Sequence, residues 1–178
     1  MRKAWIIGLI LLVVAAAGCG KDLKDPDQEV KYTGPLRETS DVVTLYSDSA
    51  KLLIKMTAPV QQDFENGNAV FPKGIYIEFY DELGNINSTL KANYGKQDRN
   101  QNLYHVRGNV VINNRKKNEK IETEELFWNR SRDKIYNEKF VKITTEKEII
   151  TGYGLRTNQD FSPYSLKRLT GEFELEEE

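Results

Sequence analysis

Residues 103–112, LYHVRGNVVI, read as a strand with a fault in its middle. Tyr104, Val106, Val110 and Ile112 fall on alternate positions, and His105, Arg107 and Asn109 fall between them. That alternation marks a half-buried strand. Gly108 sits on the apolar face, where a large side chain is expected. Glycine inside a strand marks a bulge, a sharp bend or a close approach. The stretch therefore predicts a sheet with one apolar face and a point at which that sheet yields.

The same writing continues on both sides. VVTLY (42–46), KLLIKM (51–56), GIYIEFY (74–80), ELFW (125–128), KFVKIT (139–144), EIITGYGL (148–155) and LKRLTGEFEL (166–175) are short and rich in Val, Ile, Tyr and Phe. Polar turn signals separate them: ENGN (65–68), DELGN (81–85), DRNQN (98–102), NNRKKNEK (113–120), NRSRDK (129–134) and NQDFSP (158–163). No long window carries a helical period. Leu103, Ile135 and Leu166 open similar units and lie 32 and 31 residues apart. A period in that range suggests a stacked β unit that cannot bury its apolar face alone. The expectation is an all-β fold of about ten antiparallel strands.

The start of the chain is of another kind. Arg2 and Lys3 precede an apolar run from Trp5 to Ala17, and Cys19 is the only cysteine. The run is short of the roughly 20 residues that a spanning helix needs. A basic start, a short apolar stretch and small residues before a cleavage point make an export signal. AAGC (16–19) is similar to a lipoprotein box, which predicts an acylated Cys19 as the first mature residue. The organisation read from sequence is a signal peptide over 1–18, a tether over 19–40, a β domain over 41–175 and an acidic end over 176–178.

Composition removes several function classes. Of 178 residues, 39% are hydrophobic and 30% charged, which suits a folded domain. The formal net charge of −1 gives no basic field for nucleic acid. His105 is the only histidine. It shares its strand face with Arg107 and Asn109, so it is expected to point to solvent, away from any catalytic triad. One histidine and one lipidated cysteine leave no transition-metal set. Glu119, Glu122, Glu124 and Glu125 lack the spacing of a calcium loop and read as a solvated hairpin. Arg115, Lys116, Lys117 and Lys120 read as a charged turn, or as a basic patch that would greet a phosphorylated glycolipid. No phosphate loop or dinucleotide fingerprint occurs. The reading is a binding protein with no cofactor, not an enzyme.

The ordered set Gly108-Asn109-Val110, then Thr123 with Leu126 and Trp128, then Gly152-Tyr153-Gly154-Leu155 resembles the LptC family, the periplasmic component of the lipopolysaccharide export transporter. More broadly it is similar to the OstA-like β-jellyroll domains of that pathway, over roughly residues 40–174. The resemblance implies a twisted, partly open β-jellyroll with an apolar interior groove. It implies lipopolysaccharide as ligand, the subunits of an inner-membrane ABC transporter as one partner, and the next periplasmic OstA-like protein as another, joined by edge-strand addition. Familiar members keep an N-terminal transmembrane helix, which an acylated Cys19 would replace as the hold on the membrane. On this reading the lipid-binding face is made of Ile75, Ile77, Phe79, Tyr104, Val106, Val110, Ile112, Leu126, Trp128, Val141, Ile143, Leu169 and Phe173. Gly108, Gly152 and Gly154 let the strands bend around it. Two other readings stay open on the residues alone: a structural surface lipoprotein with a filled core, and a carbohydrate-binding sandwich that exposes Trp128 and its neighbouring tyrosines.

Overall fold

Short runs of β-branched and aromatic residues at period two form strands, and here they form almost nothing else. The computed structural model describes residues 32–170. The leader, Cys19, most of the tether, Gly171, Phe173 and the acidic end lie outside the described residues. Among the described residues there are twelve strands. They are β1 (Arg37–Asp48), β2 (Lys51–Asp63), β3 (Ala69–Phe71), β4 (Ile75–Tyr80), β5 (Ile86–Ala92), β6 (Tyr94–Asp98), β7 (Leu103–Asn114), β8 (Glu119–Asn129), β9 (Lys134–Tyr136), β10 (Phe140–Thr144), β11 (Ile149–Thr157) and β12 (Ser165–Thr170). A single 3₁₀ turn, Arg130–Arg132, follows β8.

The pairing is a meander. β1 pairs β2, and β2 pairs β4 with its first half and β3 with its second. β3 pairs β6 while β4 pairs β5. β7 takes β6 along Leu103–Arg107 and β5 along Val111–Asn114. β8 pairs β7, then β10 on one half and β9 on the other. β11 pairs β10, β9 and β12. β3 with β4, β5 with β6 and β9 with β10 are thus single passes interrupted in the middle. Every pass neighbours only the passes before and after it in the chain, and all neighbours are antiparallel.

Most of the passes are broken, and at the same level. Asp41 has φ 52°, and the β1–β2 pairing omits it and Pro59, running from Ser40–Val60 to Val42–Ala58. Gly74, φ 98°, separates β3 from β4. Asn93 separates β5 from β6, and its N–H donates to the carbonyl of Gly108 at 2.9 Å. Gly108 and Asn109 have φ 76° and 49°, and the β7–β8 register shifts between Arg107 and Val110. Gly154, φ 77°, donates its N–H to Lys139 between β9 and β10. These breaks form a line across the sheet, along which it folds into two wings. Phe79 of β4 and Trp128 of β8 are separated by β5 and β7 in the sheet, yet their rings lie 5.8 Å apart at 72°. They meet because the wings face each other. The result is a twisted, open β-jellyroll.

β7 yields at Gly108 because there it leaves β6 for β5. A Cβ on Gly108 would sit 3.2 Å from Cβ of Asn93, so the crowding is against the neighbouring pass rather than into the interior. Gly84 also has positive φ, 83°, with open space around it. A non-glycine residue in this region costs about 1–3 kcal/mol. Gly108→Val is therefore expected to lower unfolding free energy more than Gly84→Val, by denaturant titration. Equal losses would remove the packing part of the argument.

Several sequence expectations change. β3, β5, β6 and β9 are strands that the apolar pattern did not mark, because INSTLKA (86–92) and YGKQD (94–98) are polar. β1 begins at Arg37, inside the stretch read as tether. Arg37 Nη2 meets Asp63 Oδ2 at 2.7 Å and Gln62 Nε2 meets Glu38 Oε2 at 2.8 Å, so cross-strand polar pairs carry the ladder there. Gly152 is not a bend. A Cβ there would meet the carbonyl oxygen of Arg168 at 2.5 Å, so this glycine permits close approach of β12. The 31–32 residue spacing is real: Leu103, Ile135 and Leu166 lie in β7, β9 and β12, alternate passes of the meander.

Candidate functional site

The two wings enclose the apolar side chains predicted to face inward. Ile75, Ile77, Phe79, Val106, Val110, Ile112, Leu126, Trp128, Val141 and Ile143 are all buried in one cluster, with Tyr104 packed against it. Leu169 is the exception. It stands on the terminal strand β12, pairs with Gly152 and is 55% exposed; Leu166 packs on the cluster instead. Phe173 falls outside the described residues.

Most of this interior is filled. Val110, Ile112, Ile121, Val141, Ile143 and Leu155 are fully buried. The β11–β12 connection adds a plug. Phe161 is fully buried and packs edge-on against Phe79, with ring centroids 5.5 Å apart. Its segment is strapped to both wings. Asp160 accepts from Asn87 Nδ2 (3.3 Å) and Asn114 Nδ2 (3.2 Å) on one, and the Gln159 N–H donates to Asp133 Oδ1 (3.2 Å) on the other.

Toward the N-terminal passes the interior is open. A cavity of about 270 Å³ has Ile54, Met56 and Ile77 on its floor and Tyr104 and Trp128 on its wall. Arg99, Arg130, Gln61, Gln97, Thr44, Leu45 and Tyr46 complete it. Tyr104 stacks on Trp128 with centroids 5.1 Å apart. Burial raises the Tyr104 hydroxyl above its usual pKa, against the opposing charges of Arg130 and Arg99. Across the mouth, the guanidinium of Arg130 lies 3.5 Å from the ring centroid of Tyr46 on β1. Such a contact at an exposed site is worth about 0.5–1 kcal/mol, little enough to open. A larger hollow of about 680 Å³ follows the fold line beside Val42, Pro59 and Gly74. It is lined by the outward-facing Thr57, Tyr76 and Lys91 and by Ala58, Ile75 and Ala92 of the buried core.

The polar residues singled out in sequence lie elsewhere. His105 does not stand free in solvent: its ring stacks on Phe127 at 4.3 Å and its Nε2 lies 3.3 Å from Glu125 Oε2. Glu122 pairs with Lys120 at 2.7 Å, and Glu125 also approaches Lys139. Arg115, Lys116 and Lys117 line a hollow at the other end of β7, together with Asp81, Glu82 and Asp160, so carboxylates balance the cations there. Ile54, Met56, Arg99 and Arg130 were not marked by the sequence reading. The first two sit in a recognisable strand, while the arginines stand in turns that carry no distinguishing pattern.

A bent, open β-jellyroll with an apolar interior can be set beside known families. A model of the family described as "LptC: Lipopolysaccharide-assembly, LptC-related" matches residues 9–168. The chain belongs to the LptC family. Among curated proteins none matches it. LptC membership implies a role in lipopolysaccharide transport, as a periplasmic envelope component associated with the Lpt transporter machinery. The LptC family is a transport component and not an enzyme. Among the described residues no helix is long and apolar enough to cross a membrane.

Proposed function

We propose that this LptC chain holds lipopolysaccharide by its acyl chains in the open, N-terminal half of the interior and passes it along a bridge of jellyrolls. The observation that carries the reading is the cavity between the wings, apolar at its floor and with the Tyr46–Arg130 contact across its mouth. Each methylene moved there from water contributes about 0.8 kcal/mol, so acyl chains need no polar chemistry to be held. Cys19, acylated, anchors the chain to the inner membrane on its periplasmic side. Displacement of a solvent-sensitive fluorophore from the full chain by lipopolysaccharide tests the binding step. A probe that stays bound at saturating lipid counts against it.

The sheet supplies two docking edges. Among the described residues β1 pairs only with β2, and eleven of its twelve residues are exposed, including Val43 and Leu45. Among the described residues β12 pairs only with β11. Strand addition joins such edges through backbone groups. β1 receives from the transporter and β12 delivers to the next jellyroll. Gly152→Ala pushes a methyl group against the Arg168 carbonyl and should loosen β12. Pull-down of the downstream jellyroll is expected to fall while lipid binding persists. Undiminished capture would place delivery elsewhere. Cys19→Ala is expected to abolish acyl labelling and release the protein to the soluble fraction. Membrane retention without label would point to an uncleaved apolar helix.

A further inference from the structure

Acyl chains account for the floor of the interior cavity but not for its rim. Arg99 and Arg130 both line the mouth, and among the described residues its wall holds no carboxylate. The two arginines come from separate turns that are tied together. The Arg130 N–H donates to the carbonyl of Asn102 at 3.1 Å, and the Asn102 N–H donates to the carbonyl of Arg99 at 3.3 Å. Asn102 Nδ2 also donates to Ser131 Oγ at 2.8 Å. The Arg99 N–H is held by Asn68 Oδ1 at 3.3 Å. Asp63, which feels the charge of Arg99, is engaged by Arg37 Nη2 at 2.7 Å and Gln61 Nε2 at 2.8 Å. Arg130 rests on Tyr46, a weak partner for a guanidinium. In the same wall, Nε1 of Trp128 is buried and has no hydrogen-bond acceptor. The protein covers it, so an acceptor reaches it only as the mouth opens.

We propose that Arg99 and Arg130 form a head-group site for a phosphate monoester at the mouth of the groove. This rests on the groove reading above and deepens it. A phosphate monoester carries close to two negative charges at neutral pH and matches two guanidiniums charge for charge, which a single carboxylate does not. Guanidinium forks fit phosphate oxygens in pairs, with stronger hydrogen bonds than a tyrosine face supplies. Binding therefore draws Arg130 off Tyr46 and opens the mouth as the chains enter. The other basic cluster, Arg115 to Lys117, shares its hollow with three acids and offers no such excess.

The test uses the mature chain from Cys19, in which Trp128 is the only indole; where the leader is retained, Trp5→Phe serves the same end. Its emission is followed during titration with lipopolysaccharide, with the same lipid stripped of its phosphates, and with inorganic phosphate alone. The phosphorylated lipid is expected to bind about tenfold more tightly than the stripped one. In Arg99→Gln/Arg130→Gln that advantage should vanish: the ratio of the two affinities falls to about one, whatever loss of the Tyr46–Arg130 contact does to the binding of each lipid alone. Arg99→Lys/Arg130→Lys should restore part of it. Equal affinity of the two lipids in the parent chain overturns the head-group site and leaves the groove standing. Failure of both lipids to bind overturns the groove and the site together. An arginine-dependent response to inorganic phosphate alone, as strong as that to the lipid, assigns the site to free phosphate and contradicts the lipid source.

Discussion

Phe161→Ala is expected to lower the unfolding free energy by about 3–5 kcal/mol, the range for truncating a buried phenylalanine. Phe161 is fully buried, and its edge-on contact with Phe79 is lost with the ring. A domain with about 5–15 kcal/mol of stability survives this, though barely at the lower end. The strap that carries Phe161 keeps its own ties, because Asp160 and Gln159 bond through groups that the substitution does not touch. The void should therefore remain as a void, extending the open groove toward β12. Denaturant titration reads the stability, and lipid titration should show binding retained or tightened. A loss below about 1 kcal/mol would mean that the plug does not hold the wings together.

Asn137→Leu is expected to cost about as much, although it replaces a polar side chain by an apolar one of similar size. Asn137 is fully buried where β8 passes from β10 to β9. Its Nδ2 donates to Thr123 Oγ1 at 2.7 Å and to the Glu125 carbonyl at 3.0 Å, and its Oδ1 accepts from the Leu155 N–H at 2.9 Å. Leucine leaves those buried groups short of partners, at about 1–3 kcal/mol each for whichever cannot find water. The expected result is a loss of about 3–5 kcal/mol, with amide exchange accelerated first at Leu155. Unchanged stability would show that the fold line does not depend on this side chain.

What the sequence disclosed follows from what each residue type had to do. Strands that bury a whole face announced themselves: Ile75, Ile77 and Phe79 on β4, and Val106, Val110 and Ile112 on β7, all lie in the core cluster as their alternation predicted. β5 and β6 were missed because they are written with serine, threonine, lysine and glutamine. Ser88 and Thr89 are buried polar residues, and Gly95 leaves room where Phe71 and Ile75 come close. Gly108 was legible as a fault because glycine in a strand has few explanations. Asn137 and Phe161 were not. Asparagine before a charged pair and phenylalanine in NQDFSP both look like turn residues, and only the partners that the meander brings to them make one a junction and the other a plug. Leu169 was misplaced for a related reason. Alternation assigns a face, but β12 is the last strand among the described residues, and none of them covers that face at Leu169.

The account turns on which side of β2 meets lipid. Met56 is buried and lines the interior cavity, while its neighbour Lys55 points outward to Glu78, with Nζ 3.2 Å from Oε2. A photo-crosslinking residue placed at each in turn, with lipopolysaccharide present and folding confirmed by circular dichroism, separates the faces by a single residue step. The account predicts lipid adducts at Met56 and none above background at Lys55. Equal labelling at both positions, or labelling at Lys55 alone, would contradict it.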